Sequence, residues 1–195
     1  MEDLGIEQVV SRITRLNDRI REFWSDTHGW APREAANLLT KSRLDWQVSL
    51  SSSLHMWITQ PDETNIFAVQ ILGYANLGAL VENTLRLFLS VWYDTYKNGV
   101  DAITKRGVIQ DPDGIGIKLE DLRIFFKKNI WHKDDDWDAW IARIQSRRNA
   151  IHAFKDRDIG THAELIADIQ RYRIFLHRIN GQLPYPDDIF IPTEY

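Results

Sequence analysis

Residues 66–81 read IFAVQILGYANLGALV, and residues 77–89 carry the run onward as LGALVENTLRLFL. The first half is apolar on nearly every side, which suits either a membrane span or a helix enclosed by other helices. Gln70, Asn76, Glu82, Asn83 and Arg86 interrupt the run. Charge in mid-span is costly in lipid, so the pattern predicts a central core helix and no membrane association. Asp62 or Thr64 can cap this helix and Asn98-Gly99 can stop it, giving an expected span of 62–96. Gly73 and Gly78 then mark places where another backbone comes close. Glu82 and Arg86 form an i,i+4 pair at the core's edge.

Upstream, Val9, Ile13, Leu16, Ile20 and Phe23 make one apolar stripe at alternating spacings of four and three, an amphipathic helix that ends before Gly29. From Arg33 to Gln60 two periods compete. Leu44, Trp46, Val48 and Leu50 alternate as a strand would, while Ala36, Leu39, Leu50, Leu54, Trp57 and Ile58 keep helical spacing. No turn chemistry isolates a strand, so one long helix is expected up to Pro61. Downstream, GVIQDPDGIGI (107–117) is a loop. Its Gly114/Gly116 and Asp111/Asp113 pairs fit turn chemistry better than a dinucleotide or calcium motif. Helices are expected at 118–129, from the acids Asp134, Asp135 and Asp136 to Phe154, and at 162–180, with YPDDIFIPTEY as an extended tail. The expected fold is an all-α bundle of five to six helices in a single domain, 1–195. It divides into an N-terminal helical extension (1–60), a helical core (62–180) and a tail (181–195).

The composition narrows the function. In 195 residues with 44% hydrophobic and 11% aromatic side chains there is enough apolar mass for one core and too much for disorder. Zero cysteines remove disulfides, thiolate metal ligands and thiol nucleophiles. The opening MEDLGIEQVV lacks a basic region followed by an apolar one, so a cytoplasmic location is expected. The six histidines lack ligand spacing, no phosphate loop ends in Lys-Ser/Thr, and Ser51–Ser53 lack a nucleophile elbow. Neither a metal nor a cofactor is expected.

The segment SRRNAIHAFKDR (146–157) stands apart. Stepping 100° per residue from Ile144, Arg148 lies about 40° from the stripe's centre, Arg147 about 60° to the other side and His152 about 80° out. A guanidinium so near the seam needs a partner, for which Glu82 is the candidate. Arg147 and His152 are expected to flank the stripe, partly exposed, where a ligand could reach them. Residues 143–178 carry a charge of +4 inside a chain of −4, either a solvated face or a nucleic-acid footprint that includes Lys155 and Arg157.

Together, the Arg-x4-His spacing on a late helix, the apolar last helix and the acid-bearing central run LGALVENTLRLFL resemble the HEPN superfamily, from about Asp62 to Asn180. The resemblance implies a HEPN-like four-helix core and a dimer. It further implies a metal-independent endoribonuclease in a toxin, antiphage or stress role, with RNA and a cognate antitoxin or regulatory protein as partners. Carried over, Arg147 would stabilise the scissile phosphate and His152 would be the general acid or base. Glu82, Arg148, Asn149, Lys155 and Arg157 would bind RNA or support the site. The residue after Arg147 is Arg148 where the family favours Asn, Asp or His; taking Arg148 as the motif arginine restores Asn149 but brings His152 one residue early. Many HEPN domains are non-catalytic interaction or dimerisation modules, and that reading stays open beside the nuclease. A third, small-molecule binding, would need a closed apolar pocket among the Trp-rich helices.

Overall fold

A computed structural model describes residues 4–152, 154 and 156–195, the side chain of Ile189 aside. Among these, the α-helices are α1 (Ile6–Trp24), α2 (Arg33–Lys41), α3 (Leu44–Ser52), α4 (Ile66–Val91), α5 (Tyr93–Asn98), α6 (Leu119–Asn129), α7 (Trp137–Arg148) and α8 (His162–Asn180). Strands β1 (Thr104–Lys105) and β2 (Val108–Ile109) form one small antiparallel hairpin, and short 3-10 turns follow α3 and α7. The architecture is an all-α helical bundle. The apolar run at 66–81 opens α4, which packs against α2, α3, α5, α6, α7 and α8, while α1 lies on α3 and α8. One continuous hydrophobic core takes residues from Val9 in α1 to Leu183 beyond α8, so residues 1–60 and 62–180 share it. None of the described helices is long and apolar enough to cross a membrane.

The helix expected over 33–60 is instead α2, α3 and a 3-10 turn at Ser53–Met56. Arg43 adopts the left-handed conformation at φ 50°, and the Ser42 hydroxyl donates to the Leu39 carbonyl at 2.5 Å. The apolar alternation misleads because α3 turns polar residues inward: Leu44, Gln47 and Ser51 are buried and Trp46 is exposed. These polar groups are largely bonded, Gln47 Oε1 alone among them lacking a partner among the described residues. Gln47 Nε2 donates to the Leu80 carbonyl and to Tyr172 Oη, both at 3.2 Å, and Asn17 Nδ2 donates to Ser51 Oγ at 2.7 Å.

The helix expected over 62–96 starts at Ile66 and breaks at Trp92 into α4 and α5. Asp62 accepts from the Thr64 and Asn65 N–H groups in the preceding turn, and the Trp92 indole N–H donates to the Gln182 carbonyl at 3.1 Å. Side chains, not another backbone, press on its glycines. A Cβ at Gly73 would lie 2.5 Å from Leu165 Cδ2, and one at Gly78 would lie 2.5 Å from Arg148 Cδ. The Glu82–Arg86 pair forms at 2.8 Å, and Arg86 also donates to the Pro112 and Ile117 carbonyls, pinning the 112–117 loop to α4. Part of the predicted loop is ordered as the hairpin, whose Arg106 and Gly107 both take positive φ, as a tight two-residue turn requires.

Helix α7 stops at Arg148, six residues short of the expected end, and tightens into a 3-10 turn at Asn149–Ile151. His152 therefore lies beyond the helix, and Ile151 is exposed. α8 has its expected bounds. Thr161 Oγ1 accepts from the Glu164 N–H while the Glu164 carboxylate accepts from the Thr161 N–H, a reciprocal cap. The tail lies over α1 and α8 as a strap and includes a 3-10 turn at Asp188–Phe190 within the segment expected to be extended.

Candidate functional site

Arg147 closes the buried face of α7 after Trp140, Ile141 and Ile144, and only 4% of it is exposed. The expectation that it stands partly open to a ligand is overturned. Its Nη1 donates to Tyr74 Oη at 2.6 Å, and its Nη2 donates to Glu164 at 2.7 Å and Asp158 at 3.3 Å. Nη1 also lies 3.6 Å from Asp168, while Nε is buried with no acceptor among the described residues. Asp168 in turn accepts from Tyr74 Oη, the Trp140 indole N–H and Arg143. One network thus ties α4, α7 and α8 together. Gly160, at φ 69°, lets the connector lie on the guanidinium; a Cβ there would sit 2.5 Å from Arg147 Cζ.

The electrostatics follow. Burial works against charge on Arg147, but its bonds to Glu164 and Tyr74 outweigh burial and raise its pKa. The Arg147 hydrogen bond, helped by the Thr161 N–H, holds the Glu164 carboxyl down at about 2. Burial and the neighbouring Asp168 charge push the Tyr74 hydroxyl up.

Arg148 pairs with Glu82, the partner its position on the helix face indicated. It is nevertheless the more accessible arginine, with 33% of its side chain exposed and its stem lying over Gly78. The angular positions were sound, but angle alone does not say which flank another element covers. α8 and the 158–161 turn enclose the Trp140 side, whereas the Ile141 side meets α4 at the surface.

His152 is exposed, and its ring makes no hydrogen bond among the described residues; its backbone N–H donates to the Asn149 carbonyl at 3.3 Å. Asn149 and Arg157 are half-buried, and Lys155 lies outside the described residues. Arg147 and His152 are not joined: one guanidinium is inside the bundle and the imidazole is in solvent. The +4 of residues 143–178 is also largely answered by acids from elsewhere. Arg148 pairs with Glu82, Arg171 with Asp136, Arg178 with Asp135 and Arg173 with Glu194.

The sequence reading missed Tyr74, Asp158, Glu164 and Asp168. Two of them left a signal. Thr161-x-x-Glu164 has the spacing of a capping box, and Asp168 is an acid inside the apolar stripe of Leu165, Ile169 and Tyr172. Among the described residues no group of three or more His, Asp or Glu could hold a metal ion. Two grooves, of about 360 Å³ beside Trp46 and Arg86 and about 410 Å³ beside Trp92 and Phe125, contain none of Arg147, Arg148 or His152. Fold and site together define an α-helical bundle centred on a buried arginine–carboxylate network. No known protein family, curated protein or solved structure matches the chain.

Proposed function

We propose that this protein is a HEPN-like, non-catalytic interaction module in which the motif arginine has become a structural ion-pair centre. The observation that carries this reading is the burial of Arg147, whose terminal nitrogens are already engaged by Tyr74, Glu164 and Asp158. A phosphate could reach it only by breaking that network, so Arg147 is not free to stabilise a developing phosphorane charge beside His152. The module works by pairing, with a second copy of itself or with a regulatory protein. Exposed Phe67 and Leu72 on the first half of α4 support this, together with exposed Ile151 on the 3-10 turn that packs against that helix. A contiguous patch of such side chains would mark an association surface. Sedimentation of the purified chain is expected to give a dimer that Leu72→Glu dissociates. Single-species monomer behaviour of the unmodified chain at high concentration would remove the self-pairing part.

The nuclease reading keeps one favourable observation: His152 is accessible and Arg148 is partly so. Incubation of structured and single-stranded RNA with wild type and His152→Ala separates the two. The module reading expects equal, background-level turnover from both. Cleavage by the wild type that His152→Ala abolishes would establish a toxin- or defence-type ribonuclease instead.

A further inference from the structure

The end of the tail sits in a socket unrelated to the Arg147 network. Glu194 is only 1% exposed, and its carboxylate is held from three sides. Arg173 grips it through both Nε, at 2.7 Å, and Nη2; Arg12 donates at 3.0 Å and His177 Nε2 lies at 2.7 Å. Arg15 donates to the Glu194 carbonyl and Arg19 to Thr193 Oγ1, both at 3.3 Å. Two guanidiniums and an imidazole therefore hold the carboxylate, and two more guanidiniums hold the Glu194 carbonyl and Thr193 beside it. The other acids of α1 are engaged elsewhere, Asp18 and Glu22 with Arg21, and Glu7 with His55.

Forked guanidiniums converging on two oxygens match phosphoryl oxygens as well as they match a carboxylate. Arg15 and Arg19 form no ion pair among the described residues, which suits an anion carrying more charge than one glutamate. The strap is anchored independently upstream, by Tyr185 against Asn180 and Trp24 and by the Pro192 carbonyl on Asn180. None of these anchors involves residues 193–195.

We propose that Arg12, Arg15 and Arg19 of α1 with Arg173 and His177 of α8 form a binding site for phosphoryl oxygens, and that Glu194 is its built-in competitor. The strap shuts the deep part of the site while Arg15 and Arg19 remain exposed at its rim. A phosphate-bearing ligand lands on the rim and displaces the carboxylate.

The test titrates the full chain, as wild type, Glu194→Gln and Glu194→Gln with Arg173→Gln, with inorganic phosphate and separately with a short single-stranded oligonucleotide. Thermal melting verifies that each variant is folded. Glu194→Gln is expected to tighten phosphate binding about tenfold or more, the scale of one charge-assisted contact, and Arg173→Gln to remove the gain. Binding of the oligonucleotide in step with phosphate, with steep salt dependence, identifies a polyanion as the source; binding of phosphate alone identifies a small ligand. A folded Glu194→Gln chain that binds neither probe more tightly than wild type overturns the proposal. Should that variant fail to fold, a spin label on Tyr195→Cys serves, since the chain has no other cysteine. Phosphate is expected to mobilise the label, and a spectrum unchanged across the titration overturns the proposal equally.

Discussion

Arg147 and Arg148 are adjacent and chemically identical, yet they do different work. Arg147 is enclosed by Tyr74, Asp158, Glu164 and Asp168, whereas Arg148 lies along the surface of α4 toward Glu82. Breaking a buried ion pair from one side leaves uncompensated charge behind, so Arg147→Ala is expected to destabilise the fold by about 3 kcal/mol or more. Arg148→Ala, at a partly screened pair, is expected to cost about 1 kcal/mol. Urea unfolding of the two variants measures both, and equal costs would show that the Arg147 network contributes no more than a surface pair. Which arginine was which could not be read from the helix wheel. The wheel gives an angle from the stripe, and both residues lie within reach of the core.

Among the elements, the central helix α4 packs on α7 and α8, and small residues set the spacing there. Gly78 faces the stem of Arg148 at a distance that leaves no room for a methyl group, and the crowded atoms include Arg148 Cβ, which cannot swing aside. Gly78→Ala is therefore expected to destabilise by about 1–3 kcal/mol, the cost of overpacking. Combined with Arg148→Ala the loss is expected to shrink, because the clashing stem is gone; a double-mutant cycle in chemical denaturation reads the coupling. At this scale much was legible. The stripes of α1 and α8, the cap of α8 and the core character of α4 follow from local spacing and local hydrogen bonds. The break between α2 and α3 was not legible. It is fixed by Gln47 and Ser51 finding partners on α4, α8 and α1, and apolar periodicity does not report polar residues in a core.

Across the whole molecule, stability is tied to carboxylates held by cations distant in sequence. Burial alone would raise the Glu194 carboxyl, but hydrogen bonds from Arg173, His177 and Arg12 overcome it and hold it at about 2. A carboxyl whose folded pKa is depressed contributes fully above its unfolded value and loses that contribution as pH falls toward the folded one. Between about pH 5 and pH 2 the protein is expected to lose up to about 3 kcal/mol at this site, with a smaller loss at the more exposed Glu164. Melting curves across that range check the expectation: Glu194→Gln is expected to begin less stable near neutrality and to show a flatter decline. A slope identical to wild type would mean that the socket does not couple to folding. The sequence by itself determined that this is an α-helical bundle with one apolar central helix and no cysteine chemistry. Those properties rest on composition and on neighbours three or four residues apart. Only the tertiary structure decided which arginine is buried, that His152 stands outside the helix, and that Glu194 closes a cationic socket with Arg12. Each of these depends on which distant segment covers a given flank, and local periodicity carries no record of that.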